Sequence, residues 1–208
     1  TNDYVDLPDG FANFSSGLTL ELWMYPTANG SNARLFDLGN GANSDNIVLA
    51  RRDVTNDLVL QVWNNTTPGP TLIASGVLDF NRWQHIVATV DGTGAARIYK
   101  NGSLVASGNV TAPRNVTRTS NYIARSNFAT NDYYPGTYDE AAVYDRVLTP
   151  ERIATHYQAA AGQGAVLDRA NVNTGSFVFE LDNADAVTLS NLSITGAFDG
   201  INVRNGSI

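Results

Sequence analysis

A chain of 208 residues with 43% hydrophobic and 10% aromatic side chains has the make-up of a globular protein with one sizeable core or two small ones. Without cysteine it has neither a disulfide scaffold nor a Cys-ligated zinc or iron–sulfur site. A net charge of −7 argues against nucleic-acid backbones and anionic membranes as partners, and no apolar run approaches the length of a transmembrane helix.

The acids are sixteen aspartates and four glutamates, and the bases are twelve arginines and a single lysine. Few Lys and Glu beside many Asp, Asn, Gly and Thr favour strands and turns over helices. The start at Thr1 reads as a processed segment, with any targeting sequence outside it. Asn13, Asn65, Asn109 and Asn115 head N-x-S/T triplets, which are glycan acceptors in a eukaryotic secretory setting but read first as turn formers.

Along the chain, NDYVDLP precedes LTLELWMYP, which alternates strictly: Leu18, Leu20, Leu22 and Met24 on one face, Thr19, Glu21, Trp23 and Tyr25 on the other. LVLQVWNN, RWQHIVATVDG and ARIYKNGSLVASG follow as similar runs between Gly-, Asn- and Pro-rich turns. Asn101-Gly102, between two such runs, predicts a tight hairpin because both turn positions want positive φ. Many short antiparallel strands, each apolar on one face, predict an all-β, two-sheet antiparallel jelly-roll sandwich. One short helix closes it: Thr149 is its N-cap, Pro150 its first residue, Glu151 complements the dipole, and Gly162 ends it.

After Gly162 the rhythm changes. FVFELDNADAVTLSNLSITGAFDGINVRNGSI reads as three short strands bent at Asn, Asp and Gly, a repeat of about twenty residues. Residues 1–161 are therefore expected to be one module and residues 162–208 the truncated start of another.

Sugars are recognised by aromatic faces that stack on pyranose C–H surfaces beside planar polar groups that bond hydroxyls. Two places offer this. Trp63 is followed by Asn64 and Asn65 at a strand end, near the polar loop of Arg51 and Arg52. The loop SNFATNDYYPG gathers Asp132, Tyr133 and Tyr134, although Tyr134 before Pro135 also fits a residue packed beneath the loop. Trp23 and Trp83 read as core rather than as platform.

Catalysis is poorly represented. ELDNAD, Glu180 to Asp185, is the nearest approach to the paired carboxylates of a glycosidase, but it ends in Asp and lies in the tail. His85 alternates with Trp83 and Val87 as a strand-face residue, and His156 lies on the closing helix; neither sits in a nucleophile motif. No catalytic residue is assigned.

NDYVDLP with SGLTLELWMYP, WQHIVATVDGTGAARIYKNGSLVASG, and YIARS with PGTYDEAAVYDRVLTPERI resemble, in order and spacing, the laminin-G-like, concanavalin A-like jelly-roll family of bacterial extracellular proteins. The tail resembles the opening coils of a right-handed parallel β-helix, as in pectate-lyase-like proteins. The first resemblance implies a structural calcium, with Asp139 matching the aspartate of the family's closing acidic pair and Asp3 in the segment beside it; calcium suits such hard oxygen ligands. The other reading of Asp139 is a strand-edge carboxylate bonded to backbone N–H groups. Together these resemblances imply a non-catalytic carbohydrate-binding or adhesion module of a large secreted or cell-surface bacterial protein. Its expected partners are a glycan or polysaccharide and other cell-surface proteins, with no nucleic acid and no membrane insertion. Two alternatives stand beside it: a structural spacer or protein–protein adhesion domain, and the accessory part of a polysaccharide lyase or glycoside hydrolase whose catalytic part lies elsewhere.

Overall fold

The computed structural model describes residues 3–10, 14, 16–128, 133–161, 165–171, 177–182, 192–197 and 199–204. In chain order the strands are β1 (Val5–Leu7), β2 (Leu18–Pro26), β3 (Arg34–Gly39), β4 (Ile47–Arg51), β5 (Leu58–Asn64) and β6 (Thr67–Ala74). Then come β7 (Gln84–Val90), β8 (Ala95–Lys100), β9 (Ser103–Asn109), β10 (Ser120–Ile123) and β11 (Gly136–Tyr144). Helix α1 (Pro150–Ala160) is followed by β12 (Ala165–Asn171), β13 (Phe177–Asp182), β14 (Leu192–Ala197) and β15 (Asp199–Arg204). The chain divides into two compact units, Thr1–Ala154 and Thr155–Ile208.

In the first unit the strands form two antiparallel sheets, one of six strands in the order β1-β10-β3-β4-β5-β6 and one of five in the order β11-β2-β7-β8-β9. This is the expected all-β sandwich with one short helix. The alternation of β2 explains the layering: Leu18, Leu20, Leu22 and Met24 are buried against Phe36, Leu38, Leu49 and Leu60 of the other sheet. Each such side chain contributes roughly 1.5–3 kcal/mol when removed from water. Asn101 and Gly102 both take positive φ, 51° and 76°, and join β8 to β9 as their sequence predicts.

Helix α1 starts as its sequence predicts. The Thr149 hydroxyl accepts the Arg152 N–H at 3.2 Å, which satisfies one of the free N–H groups of the first turn. Ile153 is buried in a small cluster with Val87, Tyr99 and Leu148, on the outer face of the five-stranded sheet. In the second unit β12 pairs in parallel with β14, placing Ala165 beside Leu192, and β13 pairs in parallel with β15, placing Phe177 beside Asp199.

Candidate functional site

The outer face of the six-stranded sheet is unusual for a surface that touches water. Adjacent strands align Asp6, Tyr122, Asp37, Val48, Gln61 and Thr71 in one row across it. Asp37, at its centre, is fully buried. A carboxylate in that position is tolerated only when donors surround it, and they do. Oδ1 accepts Asn46 Nδ2 and Asn127 Nδ2, each at 2.9 Å. Oδ2 accepts the Asn127 backbone N–H at 2.9 Å, the Ser126 hydroxyl at 3.4 Å and Arg34 Nε at 3.4 Å.

The Arg34–Asp37 ion pair depends on an irregularity. Residues three apart in a regular strand face opposite sides of a sheet. Here the register slips between Arg34 and Phe36, so that Leu35 and Phe36 both enter the core and Arg34 shares the outer face with Asp37. Burial lowers the Arg34 pKa, and the neighbouring Asp37 charge and hydrogen bond partly offset that shift.

Asp37 thereby fastens the segment after β10 onto the sheet. Its consequence is aromatic: Phe128 is held 5.7 Å from Trp63, ring centre to ring centre, at 47°. The Arg34 guanidinium carbon lies 5.5 Å from the Phe128 centroid. Trp63 is half-buried and donates Nε1–H to Gln61 Oε1 at 3.2 Å. The Gln61 amide nitrogen donates onward to Gly69 O and Thr71 Oγ1, each at 2.9 Å. At the opposite edge Arg125 sits between Tyr4 and Tyr122, its guanidinium carbon 4.5 Å from each ring centre. Tyr133 lies 6.2 Å from Tyr4. The sheet therefore presents rigid aromatic rings beside an amide and guanidinium groups.

The sequence named two separate places, and of the second segment it is Phe128, not a residue named from sequence, that meets Trp63 of the first. Asn64 and Asn65 are exposed beside Trp63, and Asn65 takes φ 53° and donates its N–H to Asp45 Oδ1 at 2.8 Å. Tyr133 is half-buried at the edge cluster. Asp132 lies outside the described residues.

Arg51 and Tyr134 do not belong to the face. Arg51 is only 1% exposed; its guanidinium donates to the carbonyls of Thr55 and Val54 and to Asn56 Oδ1, over the Phe80 ring at 5.0 Å. It braces the turn after β4 from inside and cannot reach a surface ligand. Tyr134 is 4% exposed and packs edge-on to Tyr138 at 5.9 Å, the packed-beneath-the-loop arrangement its proline suggested. Sequence reading missed Arg34, Asp37, Gln61, Tyr122, Arg125 and Phe128. Gln61 was visible in the alternation with Trp63; Arg34 and Asp37 were hidden by the slipped register.

Among the described residues no group of three or more His, Asp or Glu side chains converges to hold a metal. Asp139 lies in β11 opposite Trp23, and its Oδ1 accepts the Glu140 N–H at 2.8 Å, matching its strand-edge reading. Asp3 is exposed before β1, the edge strand of the other sheet. The face offers no acid–base chemistry at Asp37, since donors occupy both of its oxygens.

A family model described as the concanavalin A-like lectin/glucanases superfamily matches residues 1–154. No curated protein is significantly similar in sequence. Among solved structures, a heptameric SAP-like pentraxin from Limulus polyphemus superposes with a TM-score of 0.59 at 16% identity, covering 74% of each chain. The CBM40 of the Ruminococcus gnavus IT-sialidase, bound to alpha2,3 sialyllactose, gives 0.58 at 15% identity over 74% of this chain and 96% of that one. Domain 4 of an extracellular GH43 arabinanase from Geobacillus stearothermophilus, in complex with arabinotriose, gives 0.55 at 21% identity over 74% and 72%. At these identities the likeness is one of fold.

Proposed function

The chain belongs to the concanavalin A-like lectin/glucanases superfamily, and on that footing we propose that residues 1–161 are a non-catalytic carbohydrate-binding module seating a glycan on the outer face of the six-stranded sheet. One observation carries the reading: Trp63 and Phe128 form an aromatic surface whose polar border, Gln61 and Arg34, is fixed by hydrogen bonds before any ligand arrives. Preorganised rings and amides gain affinity because little conformational freedom is lost on docking. That two fold relatives were solved with sialyllactose and with arabinotriose supports the class of ligand.

Binding by one such platform is weak, and repetition in a longer secreted or cell-surface protein strengthens it through effective concentration. In that reading the parallel pairs of the second unit, with offsets of about 22 to 27 residues, are coils of a β-helix. Such coils suit a protein that acts on or adheres to polysaccharide. No helix among the described residues is long and apolar enough to cross a membrane.

Retention of the protein on native gels containing soluble arabinan, β-glucan or pectin, or on a glycan array, tests the proposal. Trp63→Ala is expected to weaken retention on the bound glycan by about tenfold, the order of one lost ring contact in a recognition site. Retention on none of the glycans would refute the module and favour the spacer reading. Repeating the gels and a melting curve in calcium and in chelator decides the cation. A chelator-induced fall in melting temperature that Asp139→Asn abolishes would assign a structural calcium to Asp139, and a curve indifferent to chelator would count against it.

A further inference from the structure

The second face of the sandwich carries an aromatic surface that the first reading does not use. On the outer side of the five-stranded sheet, register aligns Asp139, Trp23 and His85 in one row and Ala142, Glu21, Val87 and Tyr99 in another. Ile153 and Leu148 cover the row of Val87 and Tyr99. Among the described residues that cluster does not extend over the rows toward the start of β7. There Trp83, expected from sequence to be core, is 47% exposed and lies 5.8 Å from Tyr25, with their rings inclined at 59°. Trp23 is half-buried beside them, and Thr137, paired with Tyr25, is exposed.

This surface is built, not incidental. Trp23 lies 5.2 Å from the His85 ring, tilted by 35°, and His85 Nε2 is 2.7 Å from Glu21 Oε1 in a buried pair. Tyr144 bonds Glu21 in turn, and burial with the Glu21 charge raises its pKa. The ring that floors the platform is thus fixed from behind by a hydrogen-bonded chain, as a stacking surface requires.

We propose that Trp83, Tyr25 and Trp23, bordered by Asp139 and Thr137, form a second glycan platform on the opposite side of the sandwich, selective for neutral rather than acidic sugars. Two features of the surface choose this occupant. Three partly exposed aromatic rings, each at most about 250 Å² in full, expose far less than the roughly 800 Å² a stable protein partner covers on one side. And the border combines a solvent-exposed carboxylate and a hydroxyl, acceptors for sugar hydroxyls, with an exposed Arg82 beside Trp83 whose charge acts on Asp79. In a chain of net charge −7 that balance disfavours uronates and sialic acid. With platforms on opposite sheets a single copy would bridge two polysaccharide chains.

The inference rests on the glycan-binding reading of the module, and its test separates the two. Wild type, Trp63→Ala, Trp83→Ala, Trp83→Phe and the Trp63→Ala/Trp83→Ala double variant are run on native gels containing neutral arabinan or β-glucan, and on pectin gels. Each single Ala variant is expected to lose about five- to tenfold in retention on a neutral gel, and the double variant to lose all of it. Trp83→Phe, which keeps a smaller ring, should lose less retention than Trp83→Ala. Wild type should turn a solution of the soluble polysaccharide turbid by cross-linking, and neither single Ala variant should. If Trp63→Ala abolishes all retention while Trp83→Ala changes nothing, the second platform is wrong and the module stands. If Trp83→Ala weakens pectin retention as much as arabinan retention, its neutral selectivity is wrong. If wild type is retained on no gel, both readings fall together. Because Trp83 is exposed, an unchanged melting temperature for Trp83→Ala confirms that any loss is local.

Discussion

Asp37 concentrates in one side chain the relation between buried charge and recognition in this fold. A carboxylate with no access to water is stabilised here only because donors from four residues converge on it, and Arg34 supplies the compensating charge. Removing it leaves Arg34 buried without its counter-charge and frees the segment that holds Phe128 against Trp63. Asp37→Ala is therefore expected to lower stability by about 3–5 kcal/mol, the usual effect of breaking a buried pair from one side. Urea unfolding measures that loss. It should also change Trp63 fluorescence in the folded state, a signal a loss confined to stability would leave unmoved; an effect below about 1 kcal/mol would show that Asp37 is not the fastening point. Arg51 is the counter-example among the site residues named from sequence. Its place in a polar loop suggested a surface group, yet the turn after β4 offers it three oxygens inside the protein. Composition around a residue does not reveal which way a turn folds its carbonyls.

Elements were readable where period and punctuation agree. Alternation over β2 identified which residues form the core, Asn-Gly located the β8–β9 turn, and Thr-Pro-Glu located the start of α1. They were unreadable where an extra residue changes parity, as between Arg34 and Phe36 in β3 and between Asp139 and Ala142 in β11. Trp83 was misread because alternation placed it beside His85 and Val87, whereas it lies just before β7 begins at Gln84 and is 47% exposed. Strand β11 carries a testable consequence of its inward face. Burial raises the pKa of Tyr138 well above the ordinary 10, with the Tyr134 phenol adding to it, and burial likewise raises Tyr134 itself. A phenol whose folded pKa exceeds its unfolded one contributes stability that is complete below the unfolded value and is lost as pH rises through the folded one. Part of the phenolate absorbance should therefore emerge only together with loss of β-sheet signal at alkaline pH. Tyr138→Phe, which removes the titrating group and only a 3.4 Å bond to Arg34 O, should move that alkaline transition upward. An unshifted transition would mean that another group governs it.

At the scale of the whole molecule, the first unit carries its own core. Every buried residue of its main cluster falls between Phe14 and Tyr134, and the smaller cluster ends at Ile153. Both sheets, from β1 to β11, lie within that unit, and both aromatic surfaces lie on them. Among the described residues the second unit comprises two parallel strand pairs. The first unit is thus a closed sandwich that satisfies its own core. A chain ending at Ala161 is accordingly expected to fold cooperatively, to keep the melting temperature of the main transition within about 3 °C, and to retain its glycan on native gels as the full chain does. Calorimetry of both chains checks this. A truncated chain that loses its main transition would show that residues 162–208 complete the sandwich, and retention lost with folding intact would place part of the glycan site in the tail.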